Sequence, residues 1–167
     1  MDINIYERLK TDLENEDYSS LEHAFANLDE DRIAKLEDFL LEIFKNSSNI
    51  NLLHELALFF KSKKVHKAAP FLISKITSPE YQNKNGTFLY ALIDIDCKDY
   101  YKEIIPFIAN GDYESREMAV FILEAIVDKL DDKEKSEAIS MLKSLPSPSR
   151  NKPWVDDSIN LLSDNYL

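Results

Sequence analysis

The chain has 167 residues, 44% hydrophobic and 31% charged, the composition of one globular domain with a continuous core rather than of a disordered segment. Its 31 acidic and 20 basic side chains give a formal net charge of −11, a field that repels DNA and RNA, attracts a basic protein and also favours solubility. Two glycines are too few for the tight turns of an all-β domain, so the composition points to helices.

Ile5, Leu9 and Leu13 recur at four-residue spacing and predict a helix over about residues 2–14, ended by Glu14-Asn15-Glu16-Asp17. Leu21, Ala24, Phe25 and Leu28 predict a second, short one. Asp29-Glu30-Asp31 puts carboxylates at the start of a third, whose stripe is Ile33, Leu36, Phe39, Leu40, Ile43 and Phe44. After the turn Asn46-Ser47-Ser48-Asn49, a fourth carries Leu52, Leu53, Leu56, Phe59 and Phe60 and ends in lysines that suit its negative pole. A fifth over about residues 65–76 has Pro70 near its first turn, where the missing amide costs least.

Ser78-Pro79-Glu80 supplies an N-cap, a proline and an acid, and predicts a helix to about Ile95. Gly86 then falls inside it, as a close packing point that costs roughly 1 kcal/mol against alanine. Asp96-Cys97-Lys98-Asp99 opens the next helix, with Ile104, Ile105, Phe107 and Ile108 apolar and a kink expected at Pro106. Gly111 is its C-terminal cap and Asp112 the following N-cap. The helix after that uses Met118, Ala119, Phe121, Ile122, Leu123 and Ile126. Asp131 to Glu134 resembles a capping box opening a helix to about Leu145; Pro146-Ser147-Pro148-Ser149 breaks the chain, and Pro153-Trp154 restarts it. No stretch reads as a strand.

Charge is uneven along the chain. Residues 1–50 carry a net −8, residues 51–110 a net +2 and residues 111–167 a net −5. Cys97 is the only cysteine, so no intrachain disulfide is possible, which fits a reducing compartment. The start of the chain lacks a basic n-region and an apolar h-region, and no apolar run approaches spanning length; a cytoplasmic location without membrane contact is expected. The sequons at Asn46 and Asn85 are read as chance.

Two stretches repeat each other. Ala69-Pro70-Phe71-Leu72-Ile73, a turn, Tyr81 and the run Phe88 to Leu92 correspond to Ile105-Pro106-Phe107-Ile108, a turn, Tyr113 and the run Val120 to Leu123. A period in the low-to-mid thirties is typical of stacked helix pairs. The second copy resembles the HEAT repeat in its short, bilin-lyase-like form: Pro106 precedes an apolar triplet, Asp112 is the turn aspartate, Arg116 follows four on and Ala119 three after that. The resemblance implies that Asp112 caps a helix and that Arg116 ties adjacent repeats together. The copy over residues 69–92 keeps the proline and triplet but has Asn83-Lys84-Asn85-Gly86 where the arginine would stand. Size, acidity and repeat also resemble, more weakly, the small HEAT-like immunity proteins of bacterial toxin systems, each of which binds a cognate toxin. The fold expected is all-α: a single domain over residues 1–167, a short right-handed solenoid of about nine to ten helices in antiparallel pairs.

Catalytic patterns are scarce. His54-Glu55 starts like a zinc-protease motif, but Leu58 stands where the second ligand is required. His23, His54 and His66 fall in different helices, and there is no phosphate loop or nucleophile elbow. Cys97, between Asp96 and Asp99, reads as a small buried residue. The expectation is a monomeric binding module without enzymatic activity, cofactor or metal: an immunity protein that blocks a basic toxin, for example a nuclease. The alternative is an accessory scaffold or a cofactor-handling lyase-like protein. Helix-B faces line the concave side of HEAT-like solenoids, and the helix opening at Asp96 is the expected binding ridge. Asp96, Asp99, Tyr100 and Glu103 stand at its start, Asp112 and Glu114 at its far end, joining acids to aromatics. The competing site is the acidic region Glu14 to Asp31.

Overall fold

A computed structural model describes residues 3–19, 21, 30–82 and 84–164. These residues form nine α-helices: α1 (Ile3–Glu14), α2 (Glu30–Asn46), α3 (Ile50–Ser62), α4 (Ala69–Thr77), α5 (Gly86–Leu92), α6 (Tyr101–Asn110), α7 (Tyr113–Ile126), α8 (Asp132–Ser144) and α9 (Lys152–Asp164). No strand occurs among the described residues. The helix expected at Leu21 to Leu28 lies, apart from the buried Leu21, outside them.

Local chemistry sets most boundaries. The Asn49 side chain accepts from the amides of Asn51 and Leu52 and starts α3. Asp112 accepts from Ser115 N at 2.8 Å and starts α7. Asp131 and Glu134 form a reciprocal capping box at α8. Pro70 occupies the first turn of α4, and Pro106 lies inside α6. Gly111 closes α6 through its amide on Phe107 O, with φ −62° and ψ 158°, so extended backbone and not a left-handed turn makes this cap.

The stretch from Ser78 departs from expectation. It makes one 3-10 turn, Pro79–Tyr81, and only Gly86 begins a helix. The Ser78 cap is present, on Glu80 N, but the chain then turns extended at Gln82. Tyr81 is buried with its ring 5.8 Å from Phe88, and Asn85 is buried with Nδ2 donating to Ile76 O at 3.3 Å. Burying an aromatic ring contributes about 1.5–3 kcal/mol, more than the propensity of a few helical residues.

From α2 onward the helices pack as successive pairs, α2 with α3, α4 with α5, α6 with α7 and α8 with α9, and most also pack on the next helix but one. One row runs α3, α5, α7, α9; α2 packs on α4, and α6 on α8. The core is continuous from Leu9 to Leu162. Phe88 is its aromatic centre, edge-on to Phe44 at 6.0 Å and to His54 at 5.1 Å. Lys75 Nζ lies 5.6 Å from the ring centre of Phe44 and 5.1 Å from that of Tyr81, and burial lowers its pKa.

Candidate protein-binding site

Most large apolar side chains are inside, so those outside are informative. Leu58, Tyr90 and Phe121 are 38%, 43% and 43% exposed, one each on α3, α5 and α7. These helices are consecutive neighbours in one row. Lys61, one turn beyond Leu58, lies over the Tyr90 ring at 4.6 Å and pairs with Asp94, one turn beyond Tyr90. On the other side of α5, the Glu114 side chain packs against Gly86, one turn before Tyr90. The three helices therefore present a shared strip.

Helical spacing gives the strip its charge. Glu114, Glu117, Phe121 and Glu124 fall on one face of α7, at steps of three and four residues. Glu55 stands one turn before Leu58. The result is a row of apolar and aromatic groups bordered by carboxylates, with Lys61 engaged by Asp94. Tyr113, 65% exposed, extends it toward α9, where its ring meets Trp154 edge-on at 6.4 Å. Phe121 was expected in the core. Its neighbours Glu117 and Glu124, four before and three after, already mark that face as outward.

The expected ridge has a different character. Asp96 and Asp99 are exposed, and Tyr100 and Glu103 are half-buried. Lysines stand among them: Lys129 is 3.3 Å from Asp96, Lys98 is 2.9 Å from Glu134, and Lys102 is 2.8 Å from Glu137. Tyr101 Oη also donates to Glu137, at 2.8 Å. Lys102 and Tyr101 hold the Glu137 carboxyl below its ordinary value; the Asp131 amide and then Lys98 do the same for Glu134. The surface where α6 meets α8 is thus neutralised in pairs. Asp112 and Glu114 lie beyond the other end of α6, a helix about 15 Å long. They border the strip, while α6 packs with α8 outside its row. Much of the competing region, Glu14 to Asp31, lies outside the described residues.

No protein-family model matches this chain, and no curated protein or solved structure is significantly similar.

The chemistry-bearing residues that remain have structural surroundings. His54 packs on Phe88, and His66 Nδ1 accepts from Asp96 N at 3.1 Å. Among the described residues no group of three or more His, Cys, Asp or Glu side chains converges to hold a metal, and no helix is long and apolar enough to cross a membrane. Cys97 is buried with its thiol on Leu92 O; burial, then Asp96, pushes its pKa up to about 12. A group so protonated at neutral pH is a poor nucleophile.

Proposed function

We propose that the helices form a short right-handed HEAT-like α-solenoid, and that the chain is an immunity protein: a cytoplasmic monomer that neutralises a cognate basic toxin, such as a nuclease, by docking on it. The packing of helices in successive pairs, and of these pairs on one another through next-but-one neighbours, supports the solenoid. The strip Leu58, Tyr90, Phe121 with Glu55, Glu114, Glu117 and Glu124 is the observation that carries the binding function.

Interface energy concentrates in aromatic anchors at the centre of a patch, while charge at its edge sets encounter rate and partner choice. The strip supplies both. Its carboxylates suit the lysines and arginines of a protein evolved to grip a polyanion, and the net charge of −11 disfavours nucleic acid itself.

Co-expression with the product of a toxin gene found immediately upstream in the native genome tests the function, and the absence of any such gene would count against it. The wild-type chain should restore growth, and Tyr90→Ala/Phe121→Ala/Glu124→Lys should not. Lack of protection by the folded wild-type chain would overturn the immunity function. Full protection by the triple variant would overturn the strip as its site.

A further inference from the structure

The middle of the strip already holds a cation. The Lys61 ammonium, from α3, lies 4.6 Å from the centre of the Tyr90 ring and pairs with Asp94. A ring and a carboxylate one turn apart on α5 thus share one positive charge. Asp94 is the one acid of the strip so engaged. Among the described residues Glu55, Glu114, Glu117 and Glu124 have no ion pair.

A second lysine has the same surroundings and makes a useful contrast. Lys102 Nζ lies 5.5 Å from the centre of the Tyr101 ring and 2.8 Å from Glu137. Tyr101, however, is 4% exposed, and its Oη is bonded to Glu137. That cradle is closed to another molecule and works as a brace between helices. At Tyr90 the exposure is reversed. The tyrosine is 43% exposed and the Asp94 side chain 46%, while the Lys61 side chain is only 16% exposed. The lysine stem is packed, and the ring and carboxylate remain open to solvent.

The resident ammonium is weakly held. A partly exposed ion pair favours its closed arrangement by no more than about fivefold. Lys61 also has a second favourable place, because it stands in the last turn of α3, beside the negative pole of that helix. A guanidinium gains more than an ammonium from the same two groups. It lies flat on a ring, forks onto a carboxylate and is the less strongly hydrated ion.

We propose that Tyr90 and Asp94 form a subsite for one arginine of the basic partner, which Lys61 fills until that arginine docks. The incoming guanidinium stacks on Tyr90 and forks onto Asp94, and the Lys61 ammonium turns to the end of α3. The subsite lies on the middle helix of the strip, where binding energy concentrates. It rests on the partner being a basic protein. Its test uses a defined peptide and no toxin, so the subsite and the immunity function can each fail while the other stands.

The test is an NMR titration of the labelled full chain, at physiological salt, with an acetylated and amidated peptide of Gly-Arg repeats and with its Gly-Lys counterpart. In wild type the Lys61 ε-methylene protons, shifted upfield by the Tyr90 ring, should move to the position of the other lysines as the arginine peptide saturates. Lys61→Met keeps the stem and removes the competing charge, so it should bind that peptide about three- to fivefold more tightly. Lys64→Met makes the same charge change at an exposed position outside the site and should bind within about 1.5-fold of wild type. Asp94→Asn added to Lys61→Met should remove the gain. The arginine peptide should bind at least about twofold more tightly than the lysine peptide. Saturation with the Lys61 protons unmoved, which needs no variant to observe, would overturn the subsite. So would absence of binding, equal affinities of Lys61→Met and Lys64→Met, or a gain that survives Asp94→Asn. Equal affinities for the two peptides would overturn the assignment to arginine.

Discussion

Arg116 in α7 donates through Nη1 to Oδ1 of Asn151, 35 residues further on, in the turn that opens α9. Both side chains are buried. Asn151 in turn donates to Ala109 O at 2.8 Å, at the end of α6, and Arg116 reaches Gly111 O at 3.4 Å and lies over Trp154. One guanidinium thus ties together α6, α7 and the turn that leads into α9, without a carboxylate partner among the salt bridges of the described residues. Removing it strands the Asn151 carbonyl. Arg116→Ala should cost about 2 kcal/mol, well beyond the roughly 0.5 kcal/mol of an exposed charge. Asn151→Ala should be non-additive with it by at least about 0.5 kcal/mol. Urea melts of both single variants and the double variant measure this; an Arg116→Ala midpoint equal to that of an exposed lysine variant would make the contact energetically silent.

The two glycines should respond oppositely to alanine. A Cβ on Gly111 would meet the backbone oxygen of Phe107 at 2.5 Å, and backbone at a helix end cannot step aside cheaply. Gly111→Ala should destabilise by about 1–3 kcal/mol. The atoms nearest a Cβ on Gly86 would all belong to the Glu114 side chain, whose far end can swing into solvent, and Gly86 opens α5. Gly86→Ala should lie within about 1 kcal/mol of wild type, with helix propensity acting in its favour. Equal losses in the two variants would contradict these contacts.

Acid should loosen the seam between α6 and α8. Glu134 and Glu137 are held below their ordinary value of 4.5 by the Asp131 amide and by Lys98, Lys102 and Tyr101. Such groups add stability above the ordinary value and lose it as pH falls through their folded values. Wild type should therefore lose stability below about pH 4.5, and Glu134→Gln/Glu137→Gln should show a shallower decline over the same range. Parallel pH profiles in urea melts would show that these pairs do not couple to folding.

Cys97 should be inert while the chain is folded. With its pKa near 12 and its thiol buried, it should react with a thiol reagent at pH 8 at least about a hundredfold slower in buffer than in urea. Comparable rates would mean that the segment at Cys97 opens freely.

Helix caps were the most legible part of the sequence, because they are local. Asp112, Asp131 with Glu134, and Pro70 each act through bonds or backbone within four residues. The stretch from Ser78 to Ile95 was misjudged because its cap signal is real but its continuation is decided by Tyr81 and Asn85, whose partners Phe88 and Ile76 are set by tertiary packing. The same holds for the site. Acidity was visible, but periodicity alone grouped Phe121 with the core, and only the packing of α3, α5 and α7 in one row places its helix in the same row as those of Tyr90 and Leu58. The lysines that neutralise the α6–α8 seam come from 98, 102 and 129, and their pairing with Asp96, Glu134 and Glu137 depends on that packing.

The most direct measurement is the Kd for a basic toxin domain that the wild-type chain neutralises in co-expression, by titration calorimetry, for Tyr90→Ala/Phe121→Ala/Glu124→Lys against Asp96→Lys/Asp99→Lys/Glu103→Lys. If the strip is the docking surface, the first variant should lose at least about a hundredfold in affinity, roughly 2.8 kcal/mol, and the second less than about threefold, both with cooperative melts. Wild-type affinity in the strip variant, with binding lost in the ridge variant, would contradict it.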